Sequence, residues 1–223
     1  MNAVIAEQGG PGPSGRPRSH RTLRYARDRA RQMMYERGHP GDPWLTPAAI
    51  GLLDRLLRPA DRGAEFGSGR STLWFAARVA ALTSVEHDLR WHESVAARLA
   101  DSHLDNVEYL LVPEDQPMER GGDSAYARTA LAYPDASLDF ALIDGHYRDH
   151  CAAYVVPKLK PGGLLIIDNV NWYLPCQSRA PNSRTIDLGP ATGTWARVWA
   201  EVGGWRTIWT TSGVWDTAIF IRP

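Results

Sequence analysis

From residue 59 onward short apolar runs alternate with amphipathic helical stretches, and this alternation constrains the chain more than any other feature. Parallel neighbours need a long crossover, normally a helix, so the pattern implies an α/β fold with a mostly parallel sheet covered on both faces. The spacing predicts strands at 62–66, 82–86, 106–112, 138–143 and 163–167. Helices are expected at 70–80, 89–100 and 148–158, with a weaker one near 123–132. The end of the chain differs. A helix over 193–202 precedes two β-rich runs around Ser212-Gly213, which read as an antiparallel hairpin closing one edge of the sheet.

A chain of 223 residues, 43% of them hydrophobic, can bury one substantial core. Residues 9–18, GGPGPSGRPR, have almost nothing to bury, so residues 1–20 read as a flexible tail. Residues 21–58 read as a helical cap. Its first helix, Arg21 to Arg37, carries Leu23, Ala26, Ala30, Met33 and Met34 at helical spacing, with arginines on the other face. Its second opens with Thr46 as cap and Pro47 in first position, turns leucines 52, 53, 56 and 57 inward, and stops before Pro59. Residues 59–223 form the main domain.

Charge bears on partners. The net charge is zero, yet residues 1–40 hold eight arginines against Glu7, Asp28 and Glu36. Clustered arginine is a footprint of phosphate binding, but the neutral total, the presence of only two lysines (158 and 160) and the lack of an RNA-binding appendage argue against nucleic acid. A helix covering the site mouth, or packing on a second subunit of a homodimer, is the preferred reading. No apolar run approaches the roughly 18 residues that cross a bilayer, so a cytoplasmic protein without membrane contact is expected. Cys151 and Cys176 have neither metal-ligand spacing nor the numbers of a disulfide framework.

The stretch EFGSGRST, residues 65–72, ends a strand and opens a helix. Its glycines leave backbone N–H groups bare at the carboxyl edge of the sheet, where a nucleotide-like ligand can lie. A dinucleotide fingerprint needs Gly or Ala where Thr72 stands, and Glu65 repels a pyrophosphate while attracting an ammonium. Glu86 ends the second strand, placed for both hydroxyls of a ribose. These residues, with LDFALIDG and LKPGGLLIIDN, resemble the class I S-adenosylmethionine-dependent methyltransferases over residues 45–223. The resemblance implies a Rossmann-like sheet of seven strands with an antiparallel last strand, and S-adenosylmethionine as cofactor. By it, Glu65 holds the amino group of the methionine part, Gly67, Ser68 and Gly69 pass beneath it, Glu86 takes the ribose, His87 lies near the adenine, and Asp144 joins the cofactor set.

Asp144 ends the fourth strand, and Asp168 with Asn169 ends the fifth. Three oxygen ligands and no thiolate suit a hard cation such as Mg²⁺. The set resembles the metal site of the catechol and caffeoyl-coenzyme A O-methyltransferases, but Tyr147 and Arg148 stand where those enzymes carry a lysine. A cation there favours the deprotonated form of an acceptor hydroxyl. His146 is the first choice for a general base, with Tyr147 beside it as a second catalytic candidate. Six of the nine tryptophans fall between 172 and 215, and most of them read as core. Trp172 and Tyr173, in a long polar loop after Asn169, are placed to stack on a planar small-molecule acceptor. The expected activity is methyl transfer to that acceptor, at a hydroxyl oxygen. The rivals are N- or C-methylation, an RNA methyltransferase, a nucleoside-binding module without turnover, and a nicotinamide oxidoreductase, which Thr72 and Glu65 disfavour.

Overall fold

A computed structural model describes residues 22–223, so the tail expected over 1–20 lies outside the described residues. Seven strands, β1 (Arg62–Phe66), β2 (Ala81–Glu86), β3 (Val107–Leu111), β4 (Leu138–Ile143), β5 (Leu159–Asp168), β6 (Arg206–Thr211) and β7 (Asp216–Ile221), form one sheet. Their order is β3-β2-β1-β4-β5-β7-β6. The first five are parallel, and β7 runs antiparallel between β5 and β6. The α-helices are α1 (Leu23–Gly38), α2 (Pro47–Leu56), α3 (Arg70–Ala76), α4 (Leu89–Ser102), α5 (Ala125–Arg128), α6 (Arg148–Val155) and α7 (Gly193–Val202).

Strand alternation sorts the interior into two layers. Ala64, Phe66, Ala141, Ile143, Leu165, Ile167, Ala218 and Phe220 face α5, α6 and α7, where Tyr126, Cys151, Val155, Trp195 and Val198 complete one cluster. Phe140, Leu142, Leu164, Ile166 and Ile219 face the other way, onto Ala49, Ile50 and Leu53 of α2 and Trp74 and Phe75 of α3. The Phe140 ring stacks on Phe75 and fills the place where a Cβ on Gly63 would sit. On this count Glu65 and Ser84 fall on the α3 side, and Glu65 is fully buried there.

Element boundaries move for identifiable reasons. The helix expected over 70–80 ends at Ala76, where the Asn106 side chain donates to the Ala76 and Val79 carbonyls at 2.8 and 2.7 Å and turns the chain toward β2. The helix expected to reach 158 stops at Val155, before Pro157. The weak helix near 123–132 is a short α5 flanked by 3₁₀ turns. Among the expected core tryptophans, Trp195 is buried, while Trp199, Trp205 and Trp209 are half-buried against the first cluster.

One expectation is reversed. Leu23, Ala26, Ala30, Met33 and Met34 face solvent, and the inward face of α1 carries Arg24, Tyr25, Asp28, Gln32 and Tyr35. The surface it meets is polar: Arg24 Nη2 donates to the Arg179 carbonyl at 2.6 Å, and Asp28 packs on the Gly213 backbone. The cap is also not a separate layer. The α2 N-terminus is tied to the sheet by Thr217, whose hydroxyl accepts from Thr46 N at 3.0 Å and donates to Asp168 Oδ1 at 2.6 Å. Among the described residues no helix is long and apolar enough to cross a membrane.

Thr217→Val strands both partners in a buried setting, so urea unfolding should show a loss of about 2–3 kcal/mol. A loss below about 0.5 kcal/mol would mean the tie contributes little.

Candidate functional site

The carboxyl edge of the parallel strands gathers four acids, each in a different setting. Glu65 Oε2 accepts from the hydroxyls of Thr72 and Ser84, both at 2.6 Å, and Thr72 Oγ1 in turn accepts from Gly69 N at 3.0 Å. Glu65 Oε1, equally buried, has no hydrogen-bond partner. Burial lifts the Glu65 carboxyl to about 7, against the opposing pull of the nearby Ser71, Ser84 and Thr72 hydroxyls, and the nearby Asp144 charge adds to the rise. Half a buried carboxylate therefore lacks a donor.

Glu86 is the opposite case. Burial alone would raise it, but hydrogen bonds from His87, Asp88 and Ser68 hold it down at about 2. Its Oε2 accepts from Ser68 N and Oγ at 3.1 and 2.8 Å; its Oε1 accepts from His87 N and Asp88 N at 2.8 and 2.9 Å, with His87 Nδ1 also 2.9 Å away. A carboxylate offers about four lone-pair positions, so a ribose diol has to displace a side-chain donor such as the Ser68 hydroxyl.

The two glycines of the turn are bare for different reasons. Gly67 has φ +99°, and a Cβ there would lie 2.5 Å from Gly145 Cα. Gly69 has an ordinary extended φ, and its Cβ would meet only the Trp91 ring, at 3.8 Å. The fold requires the first glycine and merely leaves room at the second. Trp91 Nε1 also donates to the Ser68 carbonyl at 2.7 Å, fixing the turn from the α4 side.

Beyond β4 the loop carries His146, which stacks on His87 with ring centroids 4.9 Å apart and an interplanar angle of 15°. The pair splits in charge preference: hydrogen bonding to Glu86 raises His87, whereas burial, and then the His87 charge, lowers His146. A neutral His146 imidazole can accept a proton at neutral pH. Tyr147, the second catalytic candidate, points elsewhere. It is 1% exposed, and its hydroxyl donates to the Gln116 carbonyl, so it serves as a core residue.

The expected metal set does not assemble. Arg148, at the start of α6, donates through Nη2 to Asp144 Oδ1 and O at 2.9 and 2.6 Å. Its Nη1 donates to Asn169 Oδ1 and Asp168 O at 3.1 and 2.7 Å, and its Nε to Gly145 O at 3.0 Å. The Asp168 carboxylate, well above its ordinary range through burial and the Asp144 charge, faces Thr217 instead. No group of three or more His, Cys, Asp or Glu able to hold a metal occurs among the described residues. The residues present do not fit Mg²⁺, because a guanidinium already takes the oxygens that would bind it.

Trp172 and Tyr173 part company. Tyr173 stacks on Trp195 at 5.2 Å and lies beneath Arg148, so it belongs to the packing; Trp172 is half-buried with Nε1 unpartnered. The loop after them is braced from within. Asn171 Nδ2 donates to Pro181 O and Ser183 Oγ, and Arg184 to the carbonyls of Leu188, Gly189 and Pro190. It is built as a wall.

Residues 64–170 match the sequence model of a family described as a methyltransferase domain. A methyltransferase-like protein of Silicibacter pomeroyi, 20% identical, superposes with a TM-score of 0.55 over 82% of this chain and 89% of its own. A Staphylococcus aureus protein described as a caffeoyl-CoA O-methyltransferase, 16% identical, gives 0.53 over 87% and 91%, and an rRNA methylase of Streptococcus thermophilus, 12% identical, gives 0.50 over 81% and 98%. Among curated proteins no relative matches.

Residues 64–170 thus carry a methyltransferase domain on a fold shared with solved methyltransferases, which implies S-adenosylmethionine as the methyl donor. The unpartnered Glu65 oxygen beneath the glycine turn suits the ammonium at the amino-acid end of such a donor. Three residues of this methyltransferase site escaped the sequence reading as parts of it. Ser84 and Trp91 carry no motif; Arg148 did leave a signal, four residues after Asp144 at ion-pair spacing on a helix start.

Gly69→Ala should melt within about two degrees of wild type yet bind S-adenosylhomocysteine roughly tenfold more weakly. Gly67→Ala should cost about 2 kcal/mol or more of stability, because it meets both strain and backbone overlap. Thermal melting and calorimetry on both variants check the pair.

Proposed function

We propose that the enzyme transfers the donor methyl group to a small-molecule acceptor, at a hydroxyl oxygen. The observation that carries the donor side of the reading is the half-satisfied, buried Glu65 carboxylate beneath the glycine turn, a setting suited to an ammonium. Supporting a small acceptor, the half-buried Trp172, its Nε1 unpartnered, stands at the start of the internally braced loop that follows β5.

Bound S-adenosylmethionine supplies an already activated methyl on sulfur, so alignment provides most of the rate. This chain's task is then to orient and to manage one proton. Glu65 would hold the ammonium, Glu86 the ribose after the Ser68 hydroxyl yields, and His87 would lie by the adenine. The neutral His146 would take the hydroxyl proton as the methyl group passed from the donor sulfur to the acceptor oxygen. Trp172 would wall the acceptor.

S-adenosylhomocysteine should raise the melting temperature of the wild type while NAD leaves it unchanged, and Glu65→Ala should abolish the shift. Labelled-methyl transfer from S-adenosylmethionine to a metabolite extract, with RNA in a parallel reaction, checks the acceptor class. Label found only in RNA would refute the small-molecule reading. His146→Ala should lower kcat by about 10²-fold with little effect on cofactor affinity.

A further inference from the structure

The β4 and β5 ends present five oxygens to one side chain: the Asp144 carboxylate and carbonyl, the Gly145 and Asp168 carbonyls, and the Asn169 amide oxygen. Hard oxygens of this kind are what a divalent cation takes as ligands. Here the centre of the cluster is the Arg148 guanidinium. It has five N–H groups, and each is committed to one of those oxygens. The chain immediately before it, Asp144 and Gly145, lies against the cofactor turn: Asp144 N donates to Phe66 O at 2.8 Å, and Gly145 touches Gly67 so closely that neither position admits a Cβ.

We infer that Arg148 is a built-in cation, a positioning residue that fastens the β4 and β5 edge loops beneath the cofactor turn in place of a divalent metal ion. It deepens the methyltransferase reading and rests on it only for the identity of the bound cofactor. The chemistry differs from that of a metal in one respect. A divalent ion keeps exchangeable positions for an acceptor oxygen, whereas a guanidinium with all five donors engaged keeps none. Arg148 therefore holds the site without touching the acceptor, and the acceptor oxygen gains no Lewis-acid activation through it. The acceptor class that suits such a site ionises readily by itself or gives its proton to a side chain. It has no need of the chelating vicinal oxygens that a metal would grip.

The test uses the full-length protein, with thermal melting and S-adenosylhomocysteine calorimetry as readouts. Wild-type melting temperature and affinity should be indifferent to EDTA and to added MgCl₂. Arg148→Ala should melt lower and bind S-adenosylhomocysteine at least about tenfold more weakly, with millimolar guanidinium chloride, and not MgCl₂, restoring part of both. Arg148→Lys keeps the charge but cannot span both strand ends, so it should remain impaired. Weaker wild-type binding in EDTA, tighter binding with Mg²⁺, or wild-type behaviour in Arg148→Ala would overturn the inference. The wild-type magnesium titration and Arg148→Lys decide the matter even where Arg148→Ala does not fold. If the wild type binds no S-adenosylhomocysteine, the cofactor reading fails, while melting with guanidinium and Mg²⁺ still reports on Arg148.

Discussion

A buried carboxylate with one satisfied oxygen organises this structure. Thr72 and Ser84, from α3 and β2, hold Glu65 Oε2, and through Thr72 the same contact draws in the Gly69 amide. The strand, the turn and the helix start are thereby fixed together around a buried carboxyl group whose other oxygen has no donor. Leaving a buried polar atom unpaired costs free energy, and a bound ammonium would supply the missing donor. The turn geometry follows from the same requirement, since a ligand can reach Glu65 only over a chain as bare as Gly67-Ser68-Gly69.

The other three acids at the edge show how one residue type takes on different tasks through its surroundings. Glu86 is saturated by backbone and side-chain donors and stays ionised. Asp144 is matched by Arg148, although burial still pushes its carboxyl upward. Asp168, buried and pushed well above its ordinary range, anchors Thr217 and through it the first turn of α2, so it supports the site from behind. The protein thus concentrates carboxyl groups at one edge and sets an internal arginine among them, so that a cationic ligand beside Glu65 would favour its charged form.

Most of the architecture was legible because two periods dominate the sequence. The strand–helix alternation and the Thr46-Pro47 start placed every strand of the parallel half and the terminal hairpin within a few residues. The glycine turn and its two acids stand where their spacing put them. What escaped depends on contacts between segments distant in sequence. The orientation of α1 was misread because periodicity shows that a helix has two faces without showing which one the body offers to meet; here the body offers carbonyls and a turn, so Arg24 and Asp28 go inward. Tyr147 was misplaced because its left-handed backbone, φ +43°, swings the side chain under the 3₁₀ turn at 118–123. Asp168 and Asn169 looked like metal ligands because their type and spacing fit, and only the guanidinium between the strands shows otherwise.

The most direct test of the central claim counts protons during binding. With its carboxyl lifted to about 7, free Glu65 is partly protonated at pH 7, and an ammonium against its bare oxygen favours the charged form. Calorimetry of S-adenosylhomocysteine binding at pH 7, in buffers of different ionisation enthalpy, should therefore show net proton release. Affinity should rise with pH through that region. Methylthioadenosine, which lacks the amino-acid end, should release none, and Glu65→Gln should abolish the release. Equal proton release with both ligands, or none with either, would contradict the assignment of Glu65 to the amino group.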